Sequence, residues 1–123
     1  WVHAFAHGAD LLTEVVCHQD FPKNRDYEVF DVLGQLFKRI TIRFTNDEDW
    51  RLARVLYEPI LQGKLDQEQV ASWIKTVDFP IEETEDFYKF SNFRSCLLEV
   101  YVQLDQKNSI QDALKEAIQS FQY

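Results

Sequence analysis

The sequence predicts an all-α domain of about six helices packed as stacked antiparallel hairpins. Three observations predict it. Apolar residues recur every three or four positions along almost the whole chain, as one face of a helix requires. Capping residues fall where those apolar stripes begin and end. The connections between stripes are short, which makes neighbouring helices run antiparallel.

The opening stripe runs from Trp1 through Phe5, Leu12, Val15 and Val16. Phe30, Leu33, Phe37, Ile40 and Phe44 form the second. The alternation of Ile40, Ile42 and Phe44 looks strand-like, but it continues a helical stripe and reads as the helix end. In "TNDEDW", Asn46 or Asp47 offers an N-cap, with acids in the first turn where the helix dipole favours them. The third stripe follows at Trp50, Ala53, Leu56 and Ile60, and Pro59 should kink or shorten its final turn. Gly63 suits the left-handed position after a helix end. Asp66 with Gln69 resembles a capping box ahead of Val70, Trp73, Ile74 and Val77, so the third and fourth helices should form a tight hairpin.

In "PIEETEDFYKFSN", Glu82, Glu83, Glu85 and Asp86 close behind Pro80 suit a first helical turn or an exposed acidic loop. Phe90, Phe93, Leu97, Val100, Tyr101 and Leu104 form the fifth stripe. Ser109 with Asp112 should start the last helix, striped by Ile110, Ala113, Leu114, Ala117, Ile118 and Phe121. "DFP" occurs at Asp20 to Pro22 and again at Asp78 to Pro80, each time between helices. That echo fits a repeated three-helix unit, and with the stacking it predicts a helical-repeat superhelix of armadillo or HEAT type. Coincidence explains the echo as well.

The 123 residues are 46% hydrophobic, with ten Phe, five Tyr and three Trp, enough for one core. A single domain over residues 1–123 is expected. The chain has no Met and begins at Trp1 inside a helical pattern, which reads as a fragment of a longer protein. No apolar run reaches membrane-spanning length, and no signal-peptide pattern stands at the start, so no membrane association is expected.

A net charge of -8 opposes nucleic-acid binding, which depends on Lys and Arg neutralising phosphate. Lys38, Arg39, Arg43, Arg51 and Arg54 form a local basic group, read as a solvated helix end in preference to an anion site. Cys17 and Cys96 have no metal or redox spacing and read as buried free thiols. A glycine-rich phosphate loop and a nucleophile elbow are missing. Cys17 and His18 are helix neighbours pointing about 100° apart, so they make no dyad.

The one chemical constellation lies in "WVHAFAHGAD". His3, His7, Asp10 and Glu14 fall on one helix face, and two imidazoles with a carboxylate can hold zinc or iron. HxxxH lacks the adjacent glutamate that gives HExxH its general base. The competing reading has His3 and His7 packing against a neighbouring helix, Asp10 orienting one imidazole, and Ala4, Ala6, Gly8 and Ala9 permitting close approach. Two functions follow: a non-enzymatic protein-interaction or scaffold domain with a protein partner, or a divalent-metal protein or metal-dependent hydrolase using His3, His7 and Asp10. Whether the chain is an enzyme, and its oligomeric state, stay open at this level.

The stretch "WVHAFAHGADLL" resembles the hallmark W-x-H-A-x-A-H-G-A-D of an uncharacterised bacterial family known only as a domain of unknown function. The resemblance implies a cytoplasmic protein roughly twice this length, with this chain as its C-terminal part. It implies no activity.

Overall fold

The computed structural model describes residues 2–45 and 47–122, apart from the side chains of Val2 and His3. Six α-helices are found among them: α1 (Val2–Cys17), α2 (Asp26–Arg39), α3 (Glu48–Leu61), α4 (Gln67–Thr76), α5 (Thr84–Gln106) and α6 (Asp112–Ser120). A single 3-10 turn, Lys23–Arg25, leads into α2. The described residues contain no strand, and no helix among them is long and apolar enough to cross a membrane.

Packing follows from which faces are apolar. Leu52, Ala53, Val55, Leu56, Tyr57, Pro59 and Ile60 are all buried on α3, so most of its circumference needs cover. A helix apolar on most sides must sit between others. Accordingly α3 lies between α1 and α5, while α4 lies against α6 and α2 leans on both α5 and α4. The closest approaches therefore skip one helix in sequence. Phe93 of α5 is the aromatic hub, with ring centroids 5.0 Å from Phe37, 5.5 Å from Trp73, 5.5 Å from Phe79 and 5.1 Å from Phe121. Its edge-on contacts with Phe37, Trp73 and Phe121 suit the ring quadrupole.

Gly63 takes the expected left-handed conformation, with φ 71°. Lys64 and Leu65 donate their N–H groups to the Pro59 carbonyl at 2.8 and 3.3 Å, and α3 ends at Leu61, two residues past its proline. The two helices then join different rows, so the expected α3–α4 hairpin is not among the close helix pairs.

Other local expectations shift in informative ways. α2 stops at Arg39 and does not run on to Phe44. Ile40 is buried and extended, and buried Asn92 of α5 takes the next backbone groups, accepting from Phe44 N–H at 3.0 Å and donating to the Ile42 carbonyl at 2.8 Å. Asp47 stands at the N-cap of α3 without a side-chain cap, and Asn46 lies outside the described residues. Asp66 precedes α4 likewise without capping it, so no Asp66–Gln69 box forms. Its neighbour Gln67 reaches away, donating to the Ser109 carbonyl and accepting from Gln111 N–H, both at 2.8 Å. That bond fixes Gln111, in place of Ser109, as the N-cap of α6. A capping box does form in the acidic run: Asp86 accepts the N–H groups of Glu82 and Glu83 at 3.0 Å each, and Glu83 caps the Asp86 N–H. Glu85 and Asp86 thus stand in the first turn of α5, with Glu83 as its N-cap and Glu82 just ahead of it.

Candidate functional site

α1 shows two faces. Ala6, Ala9, Thr13 and Val16 are buried, and α3 lies along this side. These four small or β-branched residues let the backbones approach, and Thr13 returns its hydroxyl to the Ala9 carbonyl at 2.9 Å, which satisfies that buried donor. On the opposite side Ala4, Gly8, Leu11 and Val15 are exposed, Leu11 at 64% and Val15 at 55%. Val15, expected among the inward apolar residues, thus points out. The residues at 4, 8, 11 and 15 step by four, three and four, the spacing of a helix–helix seam. Beyond Val15 the face continues into a hollow of about 420 Å³ bordered by Leu11, Glu14, Val15, His18, Asp20 and Phe21.

The candidate metal residues lie along the polar edge of the same helix. His7 is exposed, as is Glu14, and the His3 side chain lies outside the described residues. Asp10 is half-buried and engaged with α3: its Oδ1 lies 3.5 Å from Nη1 of Arg54, and its Oδ2 lies 3.9 Å from Nε of Arg51. Arg54 is itself fixed by Glu58, at 3.1 and 3.2 Å, and lies over the Trp50 ring at 5.3 Å. Arg51 is also 3.8 Å from Asp47. Among the described residues, no three His, Cys, Asp or Glu side chains gather into a metal-sized group. The basic residues divide: Arg51 and Arg54 meet carboxylates, while Lys38 and Arg39 end α2, where cations complement the helix dipole.

Cys96 is buried, Cys17 is half-buried, and both are free. Burial pushes the Cys96 thiol far above its ordinary range. It also raises Cys17, with the Glu58 carboxylate adding to the effect. Both shifts disfavour thiolate chemistry.

A second concavity was not legible in the sequence. A cleft of about 550 Å³ opens between the start of α2 and α4, bordered by Lys23, Asn24, Asp26, Tyr27, Phe30, Gln69, Ser72, Trp73 and Thr76. Phe30 and Trp73 stack with centroids 5.0 Å apart and planes 9° from parallel. Tyr27 is 67% exposed, whereas Asp26 is only 7% exposed and its Oδ1 meets no hydrogen-bond donor. Burial raises the Asp26 carboxyl above the usual carboxylate range, and the Asp66 carboxylate raises it further. In sequence, an acid in a first helical turn is what the dipole already favours, so nothing singles Asp26 out.

The family model described as "Protein of unknown function (DUF2785)" matches residues 1–102, which run from the opening histidine stretch through most of α5. No curated protein and no solved structure matches the chain. Covering most of the sequence, the family match carries the one assignment available from relatedness: the chain belongs to the DUF2785 family of proteins of unknown function.

Proposed function

We propose that the chain is a non-enzymatic helical interaction domain, and that the outer face of α1 receives a helix of a partner protein. One observation carries this reading. In its 16 residues α1 holds only two charged side chains, Asp10 and Glu14, and it is apolar on two opposite faces, of which α3 covers one. A contiguous exposed apolar patch on a helix marks a contact surface. Ala4 and Gly8 give a partner backbone room, and Leu11 and Val15 supply the knobs.

Charge narrows the partner. Glu14 and Asp20 border the seam's hollow, and the whole chain carries -8, so the complementary helix has Lys or Arg beside its apolar stripe. A second copy of this chain would set Glu14 against like charge. His7, on the edge of the seam, serves as a contact residue, and Asp10 aligns α1 on α3 through Arg54.

The test compares the intact protein with a Leu11→Glu, Val15→Glu double variant in affinity capture. Retention of a partner with a basic amphipathic helix by the first alone, at equal melting temperatures, is the expected result. Identical captures by both proteins, or a hydrolytic activity lost on His7→Ala, would overturn it.

A further inference from the structure

We propose that the cleft between α2 and α4 binds a guanidinium group, held by the Asp26 carboxylate among the aromatic side chains of Tyr27 and Trp73. The inference is independent of the α1 seam. It starts from an imbalance: Asp26 is more than nine-tenths buried, yet among the described residues its Oδ1 has no donor and no ion pair forms on its carboxylate, and the charge that acts on it is another carboxylate, Asp66. Buried polar atoms of this kind are normally bonded, and an exception bordering a cleft points to a donor from outside the chain. The broad, two-fold χ2 torsion of aspartate lets either oxygen turn to the cleft.

The surroundings select the donor. Tyr27, Trp73 and Phe30 supply ring surface for a planar cation, and Asn24, Gln69, Ser72 and Thr76 supply oxygen acceptors for the N–H groups the carboxylate leaves over. Guanidinium is planar, weakly hydrated and forked to match a carboxylate, whereas ammonium is compact and strongly hydrated. The volume suits a guanidinium on an alkyl stem. The chain's charge of -8 draws such cations in. Lys23, exposed at the rim, opposes them and gives the proposal a second handle.

The experiment titrates the intact protein with agmatine and with an arginine-containing pentapeptide, following amide and indole NMR shifts. The citrulline version of the peptide, equal in shape but uncharged, is the control. Saturable shifts at Asp26, Tyr27 and Trp73 are expected with the charged probes only, and whether agmatine or the peptide binds more tightly tells a free guanidino compound from a partner's arginine. Asp26→Asn should weaken binding at least about tenfold, since a charge-assisted bond becomes a neutral one. That variant removes a buried charge with no partner, so it should melt no lower than the parent, which separates loss of the site from loss of the fold. Lys23→Ala should tighten binding. No saturation below about 10 mM, or binding indifferent to Asp26→Asn, would overturn the proposal.

Discussion

Asn92 holds the backbone at Phe44 from 48 residues away, accepting its N–H at 3.0 Å while donating to the Ile42 carbonyl at 2.8 Å. The same carboxamide therefore meets one donor and one acceptor of a connection that cannot pair with itself. Removing it leaves both orphaned. Asn92→Ala should destabilise the protein by about 2–4 kcal/mol, roughly the cost of two unmet polar groups. Urea unfolding with an unchanged m-value checks this, and a loss under about 0.5 kcal/mol would mean that water replaces the amide.

Gln67 does for α6 what Asn92 does for the segment after α2, tying Ser109 and Gln111 to the start of α4. Gln67→Leu should cost about 1–3 kcal/mol. Gln67→Glu keeps an acceptor for Gln111 but turns a carboxylate on the Ser109 carbonyl. It should therefore be weakest near neutrality and recover as the pH falls through about 4. Melting curves of both variants at two pH values distinguish the cases.

Much of the architecture was legible in residue spacing, and the places where it was not share one cause. The stripe from Phe30 to Phe37 marked α2 correctly because each residue faces the same core. Ile40 and Phe44 extend the stripe without extending the helix: both still turn inward, but the backbone at Ile42 and Phe44 is claimed by Asn92, a partner that no local window contains. Asp66 and Gln69 had the spacing of a capping box, yet the residue between them, Gln67, makes the structural bonds, and again its partners lie more than 40 residues away. The true box, Glu83 with Asp86, escaped notice because its residues differ from the usual Ser or Thr with Glu. At the opening helix the spacing of His3, His7 and Asp10 was plain, but the arginines of α3 that engage Asp10 were not.

Two carboxyls should bend the pH–stability curve in opposite directions. Asp86 is held below the usual range by the backbone N–H groups of Glu82 and Glu83, with Lys89 assisting. Its contribution is present above the unfolded-state pKa and is lost as pH falls through the depressed folded value. Asp26 is raised by burial and by Asp66, so its cost is absent below the unfolded-state pKa and grows as pH rises through the folded value. Asp86→Ala should thus lower the melting temperature at pH 7 and lose its effect as the pH falls through the depressed folded value. Asp26→Asn should raise the melting temperature at pH 7, with the gain gone by about pH 3.

The α3 arginines also set the expectation for metal. A divalent ion at His7 and Asp10 must compete with Arg54 at 3.5 Å and Arg51 at 3.9 Å for the carboxylate. Elemental analysis of the intact, untagged protein after exposure to zinc or iron should therefore show no stoichiometric metal that depends on Asp10. Asp10→Asn should instead loosen α1 on α3 by about 0.5–1 kcal/mol, as expected for partly exposed ion pairs. Stoichiometric metal lost on His7→Ala would place the histidines in a metal centre.

The outer face of α1 can be interrogated directly by putting a photo-crosslinking residue, p-benzoylphenylalanine, at Leu11 of the intact protein in its own cells. Val32, 44% exposed on α2, is the matched control position. The expected result is one dominant adduct at position 11 and none at 32, mapped to a segment of another protein with apolar residues three and four apart and Lys or Arg beside them. Charge reversal by Glu14→Lys should abolish the adduct. A crosslink to a second copy of this chain, to another segment of the same chain, or equally from position 32 would contradict a partner helix on α1.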